Sequence, residues 1–185
     1  MLRRNLPGRH GRLDYLVNNA MSVQYGPITE ATVDGWRKDF AVNAEAVFVG
    51  TREAMKIMMP AGRGSIVNIA STTAIRAAPM MASYSASKAA LIQFTAVAAM
   101  EAARSGVRVN AIVPGQVQTA ATEAFNKQAP ELADRIADAI PMGRGGNAAE
   151  LAEAIVFMLS DAASYITGVA LPVDGGKAAQ LYMPS

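Results

Sequence analysis

The chain has 185 residues, 51% hydrophobic and 17% charged, with a formal net charge of +2 and no cysteine. This is the balance of a folded chain with a real core; it excludes a disordered chain, disulfides and thiolate metal sites. No apolar run approaches the roughly 20 residues of a membrane span, so no membrane segment is read.

The basic cluster Arg3, Arg4, Arg9 and Arg12 has no interleaved aromatics. It reads as a solvated tail, and no nucleic-acid partner is expected. The only histidine, His10, sits in the same Gly/Pro-interrupted opening and reads as a surface residue. Asp14 and Asn18-Asn19 interrupt the basic start before any long apolar block, against a signal peptide. The expected location is a reducing cytoplasm.

Residues 1–12 are polar and expected to be irregular. Leu13-Asp14-Tyr15-Leu16-Val17-Asn18 reads as a short strand, with Asn18-Asn19-Ala20 at its carboxyl end, the edge where open α/β sheets bind ligands. Thr32 or Asp34 is suited to cap the next helix, and the Pro-free stretch from Trp36 to Met59 predicts that helix, ended by Pro60 and Gly62. Asn43 falls inside it; a mid-helix amide either bonds to backbone and bends the helix or lies on the surface. Ser65-Ile66-Val67-Asn68-Ile69-Ala70 predicts a buried strand closed by Ser71, and residues 72–83 a loop.

The Pro- and Gly-free run from Ala86 to Arg104 predicts a helix that ends at Ser105-Gly106. Val107 to Val113 predicts a strand cut off by Pro114-Gly115. Residues 116–141 read as a strandless lid with short helices around 120–128 and 131–138. Asn147 is placed to cap a helix from Ala148 to Leu159, and Gly168 to Val173 predicts a last strand before Asp174-Gly175-Gly176. Strands alternating with helices imply a parallel sheet with crossover helices, in one domain over 1–185.

Chemistry concentrates in Tyr84-Ser85-Ala86-Ser87-Lys88, with Ser71 upstream. Tyr84 and Lys88 are one helical turn apart and share a face. By itself that spacing is common, and its plain reading is a helix-start aromatic beside a solvated lysine. In the functional reading, the ammonium and the helix dipole favour the phenolate, the phenol exchanges a proton with an alcohol or ketone, and Ser71 holds the substrate oxygen.

These pieces, in this order, resemble the short-chain dehydrogenases/reductases, a family of NAD(P)-dependent oxidoreductases with a Rossmann fold. The resemblance rests on Asn18-Asn19-Ala20, on Asn43 in Phe40-Ala41-Val42-Asn43, on Ser71, Tyr84 and Lys88, and on Asn110 to Gly115 with Thr119. Pro141 to Arg144 and Ile166-Thr167-Gly168 before Asp174-Gly175-Gly176 complete it. It implies that Tyr84 is the general acid/base, that Lys88 lowers its pKa and binds the nicotinamide ribose, and that Ser71 polarises the substrate. It further implies that Asn43 holds a relay water, that Asn18 and Ala20 lie beside the cofactor ribose, and that Pro114, Gly115, Val117 and Thr119 border the carboxamide. The implied reaction interconverts a ketone or 3-oxoacyl group and a secondary alcohol. The implied assembly is a homo-oligomer through helices 36–59 and 84–104.

The chain departs from the family pattern at Met21, where glycine is usual. It also lacks the initial strand, glycine-rich turn and helix that hold the pyrophosphate. The expected fold is therefore an N-terminally truncated, doubly wound Rossmann-type sheet, short of its first three strands, with Leu13 to Val17 left at an edge. NAD and NADP stay open. A second reading is an inactive remnant that acts, if at all, by associating with intact relatives. A third, a serine hydrolase with Ser85-x-x-Lys88, lacks the partner motifs Ser-Asp-Asn and Lys-Thr-Gly. Substrate would meet residues 76–83 and 116–141, whose small or apolar members Ala77, Ala78, Met80, Met81, Ala120, Ala121 and Phe125 suit an apolar body.

Overall fold

The computed structural model describes residues 11–180, with the backbone alone for Ala120, Ala121 and Phe125. Arg3, Arg4, Arg9 and His10 lie outside the described residues, as do the side chains of Ala120, Ala121 and Phe125.

In chain order the elements are β1 (Tyr15–Asn18), α1 (Val33–Phe40), a π-helical turn (Ala41–Glu45), α2 (Ala46–Met58), β2 (Gly64–Ile69), α3 (Ala82–Ala102) and β3 (Val107–Pro114). Then follow β4 (Val117–Gln118), α4 (Ala120–Gln128), α5 (Pro130–Asp138), β5 (Gly146–Asn147), α6 (Ala148–Leu159) and β6 (Ala170–Val173). The main sheet is parallel, in the order β1-β2-β3-β6, with Val17 opposite Val67, Val67 opposite Asn110 and Ala111 opposite Ala170.

The period-2 alternation of the strands explains why both faces are covered. On one face Ile66, Val107 and Val109 pack against Ala54 and Met58 of α2 and Ala98, Ala99 and Ala102 of α3. On the other, Val67, Ile69 and Ile112 pack against Met158 of α6 and Ala163. Helices on both faces of a parallel sheet make this a doubly wound α/β fold of Rossmann type.

The helix expected over 36–59 runs from Val33 to Met58, capped by Thr32, whose side chain accepts from the Gly35 amide. Its break is the π turn around Asn43, which is fully buried. The surface-amide reading therefore fails, and the helix is locally rewound about a satisfied amide. The 72–83 loop is shorter than expected. Ser71 caps a 3-10 turn at Thr72–Ala74, and α3 begins at Ala82, so Tyr84 sits within its first turn. The strandless lid contains β4, which pairs with β5; two-residue strands carry no periodicity to read. Asn147 caps α6 as expected, in a reciprocal capping box with Glu150. β1 is an edge strand, as expected, with Tyr15 56% and Val17 38% exposed.

Candidate active site

Three segments meet at the carboxyl ends of β1 and β2: residues 18–26, Ser71, and the first turns of α3. Ser71 leaves β2 with its hydroxyl accepting from the Thr73 amide (3.2 Å) and the Thr73 hydroxyl (3.1 Å). Its own proton is thereby free to point elsewhere, and Ser71 faces the Tyr84 phenol closely enough to influence it. Lys88 is 1% exposed and donates to the Ile69 carbonyl at 2.6 Å, with its ammonium 5.9 Å from the centre of the Tyr84 ring. Ser71, Tyr84 and Lys88 thus share one site, and the solvated-lysine reading is excluded.

The electrostatics differ from expectation. Burial pushes the Tyr84 phenol above its ordinary value, the neighbouring Ser71 hydroxyl pulls it back, and electrostatic repulsion from Tyr25 and Asp39 pushes it up again. The ammonium of Lys88, bonded to a carbonyl, is not what sets the phenol, so the expected lowering by Lys88 is corrected. Burial instead brings Lys88 itself down from 10.5 to about 8.

Asn43 does not reach Lys88 through its side chain. Its Oδ1 accepts from the Ser22 amide (2.9 Å), while its Nδ2 donates to the Ser22 carbonyl (2.7 Å) and to the Ser87 hydroxyl (3.0 Å). The Asn43 side chain thus holds the segment after β1 against α3. Asn18 is also turned inward. It donates to Asn68 (2.8 Å) and Thr51 (3.2 Å), and Asn68 donates on to Thr95 (2.9 Å). Gly50 permits this latch, because a Cβ there would come 2.8 Å from Asn18 Oδ1. Ala20 beyond it is exposed, and so is Met21.

Pro114, Gly115, Val117 and Thr119 follow the carboxyl end of β3 and bond away from Tyr84. The Gly115 amide donates to Val173, and Thr119 exchanges hydrogen bonds with Thr122 at the start of α4. Gly115 passes Asp174 so closely that a Cβ would meet that side chain at 2.8 Å. Ser85 is not assembled as a nucleophile: its Oγ is buried without a partner among the described residues, and Lys88 points to Ile69.

Sequence reasoning passed over Asp39, which is fully buried beside this site. Its one signal is the i, i+4 spacing to Asn43, which puts both on one helix face. Tyr84 and Ser71 each keep 8% of their surface exposed. A cavity of about 200 Å³, lined by Gln24, Tyr25, Trp36 and Ser83 among others, abuts the start of α3. A larger groove, about 670 Å³, lies along the outer faces of α1 and α3, lined by Trp36, Phe40, Phe48, Leu91 and Phe94.

The nicotinamide end of a dinucleotide fits the donors present. One of the three N–H groups of Lys88 is used on Ile69, leaving two buried donors, suited to a ribose diol. For the pyrophosphate end, no glycine-rich turn leads from a strand into a helix beside β1 among the described residues.

The family model described as enoyl-(acyl carrier protein) reductase matches residues 2–178. The chain is 40% identical over 166 residues to 2,5-dichloro-2,5-cyclohexadiene-1,4-diol dehydrogenase LinX of Sphingobium indicum, covering 90% of this chain and 65% of that protein. It is 37% identical to 2-(R)-hydroxypropyl-CoM dehydrogenase of Xanthobacter autotrophicus, covering 91% of this chain and 68% of that protein. The chain thus spans about two-thirds of the length of these relatives. Among solved structures, that of ElxO with NADP bound superposes with a TM-score of 0.90 at 31% identity, over 94% of this chain and 71% of that one. With the doubly wound sheet and the Ser71–Tyr84–Lys88 cluster, these matches place the chain in the short-chain dehydrogenase/reductase family, whose cofactor is NAD or NADP.

Proposed function

We propose that this chain carries the proton-transfer site of an NAD(P)-dependent interconversion of a ketone or 3-oxoacyl group and a secondary alcohol. The observation that carries the reading is the joint burial of Lys88 and Tyr84 beside a serine whose proton is free, at the carboxyl edge of a parallel sheet. The bound dinucleotide would take or give hydride at C4 of its nicotinamide. In reduction, the Tyr84 hydroxyl gives its proton to the substrate oxygen while the Ser71 hydroxyl donates a hydrogen bond to it. In oxidation, the same two groups act in reverse. Raised by burial, Tyr84 enters as the protonated acid at neutral pH. Lys88, at about 8, exchanges protons in the physiological range and offers its two remaining donors to the ribose. Asn43 serves by fixing Ser22 and Ser87 around them.

Pro114, Gly115, Val117 and Thr119 would border the carboxamide, and Asn18 and Ala20 the ribose, by their place after β3 and β1. The exposed apolar residues Trp36, Phe48, Val97 and Met100 support association with a second copy through the faces of α1 to α3.

The experiment is nicotinamide absorbance with a panel of cyclic ketones and 3-oxoacyl thioesters, comparing the parent with Tyr84→Phe. Turnover falling by about 10²- to 10⁴-fold in Tyr84→Phe supports the reading; equal rates in the two proteins contradict it.

A further inference from the structure

Only two charged side chains appear among the buried residues of the described chain, and they flank Tyr84: Lys88 at 1% exposure and Asp39 at 0%. The functional reading uses Lys88 and leaves Asp39 without a task. Among the described residues no cation contacts it. Its Oδ1 accepts from the Ser22 hydroxyl (2.8 Å), and its Oδ2 accepts from the Gln24 amide (3.1 Å) and the Ser83 hydroxyl (2.6 Å). Two hydroxyls and one backbone N–H thus converge on the carboxyl group, using both of its oxygens.

Those partners belong to two chain segments with no covalent reason to stay together. Ser22 and Gln24 lie in the run after β1, and Ser83 is the residue before Tyr84. A second tie joins the same segments where the Gly26 amide donates to the Met80 carbonyl at 2.9 Å. Met80 itself is held at φ 70, a left-handed conformation uncommon for a side chain of this kind, so this corner is fixed against local preference. On the far side of Tyr84, Asn43 bonds both Ser22 and Ser87, and the Ser87 hydroxyl donates to the Tyr84 carbonyl at 2.8 Å.

We propose that Asp39 is a positioning residue for Tyr84: its sealed carboxylate clamps the 22–24 segment onto the first turn of α3 and holds the phenol from its N-terminal side. Helix first turns lack intrahelical partners for their leading amides and fray most easily. A turn that carries a proton-transferring group needs an external hold, and α3 has no side-chain cap at Met81 to provide one. Asp39 supplies it from a neighbouring helix. The clamp has an electrical consequence as well. The groups facing the phenol are Ser71 from the end of β2, Tyr25 from the segment after β1, Asp39 from α1 and Lys88 from α3 itself. Burial is the largest influence, and Asp39 adds to it by opposing the phenolate. The proposal rests on the reading of Tyr84 as the proton carrier, but its test needs neither cofactor nor substrate.

The test uses the whole chain with ¹³C label at tyrosine Cζ, the Tyr84 signal being identified by its loss in Tyr84→Phe. In Asp39→Asn, which keeps the shape and removes the charge, the Tyr84 titration midpoint falls. Exchange of the amides of residues 85–88 quickens by about tenfold. In Ser83→Ala, which cuts one arm and keeps the charge, exchange quickens similarly and the midpoint falls less. A folded Asp39→Asn whose 85–88 amides exchange at the parent rate, or whose Tyr84 midpoint does not fall, overturns the proposal. Should Asp39→Asn fail to fold, Ser83→Ala decides through the same exchange rates: parental rates overturn it, quickened rates uphold it. Failure of this chain to bind a nicotinamide nucleotide would sink the functional reading and leave these outcomes untouched.

Discussion

The two ends of the molecule's polar chemistry are built differently. Around Tyr84, Ser85 apart, buried polar side chains are tied off in two hydrogen-bonded groups: Asn18 to Asn68 to Thr95, and Asn43 and Asp39 joined through Ser22 and reaching Ser87 and Ser83. Along β1 the opposite holds. Tyr15 and Val17 leave apolar surface open at the sheet edge, and the nearby charges of Arg12, Asp14 and Arg63 pair in solvent. Surface pairs of that kind hold little, whereas a buried network is costly to break in part. The fold is therefore most determined where a nicotinamide and its substrate would react, and least where the adenosine end would lie.

Breaking the determined side should have the largest effect. Lys88→Met leaves the Ile69 carbonyl without its 2.6 Å donor and removes the two donors proposed for the ribose. Turnover should fall by more than about a hundredfold, read by nicotinamide absorbance. The substitution also removes a pH dependence. Below about 8 Lys88 is protonated in both folded and unfolded chains, and the folded state bears the burial penalty; between about 8 and 10.5 the unfolded chain keeps the proton longer. Stability therefore rises with pH across that window. Tyr84 opposes the rise only above 10, where the unfolded phenol ionises first. Urea midpoints taken from about pH 7 to 9.5 should increase more in the parent than in Lys88→Met; parallel curves would show that Lys88 is not the source.

Asn68→Ala should come next. It removes one partner each from Asn18 and from buried Thr95, at a cost of about 1–3 kcal/mol, measured as a drop in urea midpoint with unchanged m. Asn147→Ala removes one half of the α6 capping box and should cost about 1 kcal/mol, by the same measurement. The smallest effect belongs to the open side. Tyr15→Lys at the β1 edge should change stability by no more than about 0.5 kcal/mol. It should also reduce any self-association seen by sedimentation. A loss there as large as in Asn68→Ala would erase the contrast between the two regions.

Much of this was legible in the residues. The strands, the Asn147 cap, the Gly106 helix end and the lid helices follow from periodicity and terminal chemistry. Tyr84 and Lys88 were placed on one face by spacing alone. Asp39 was not legible, because within α1 it looks like any polar residue near Trp36 and Phe40; its burial comes from the 22–24 segment folding over it. The direction of the Tyr84 shift was not legible either. Spacing brings Lys88 near, but only the fold decides that its ammonium turns to the Ile69 carbonyl and that burial governs the phenol. The β4–β5 ladder escaped for a simpler reason, since it is set by the register of two distant turns.

The central claim is that Tyr84, Ser71 and Lys88 form a nicotinamide-side site in this chain. Its most direct test is a fluorescence titration of NADH and NADPH into the parent, Tyr84→Phe and Lys88→Ala. Saturable binding in the parent and in Tyr84→Phe, lost in Lys88→Ala, is the expected result. No saturable change in the parent, or the same isotherm in all three proteins, would contradict it.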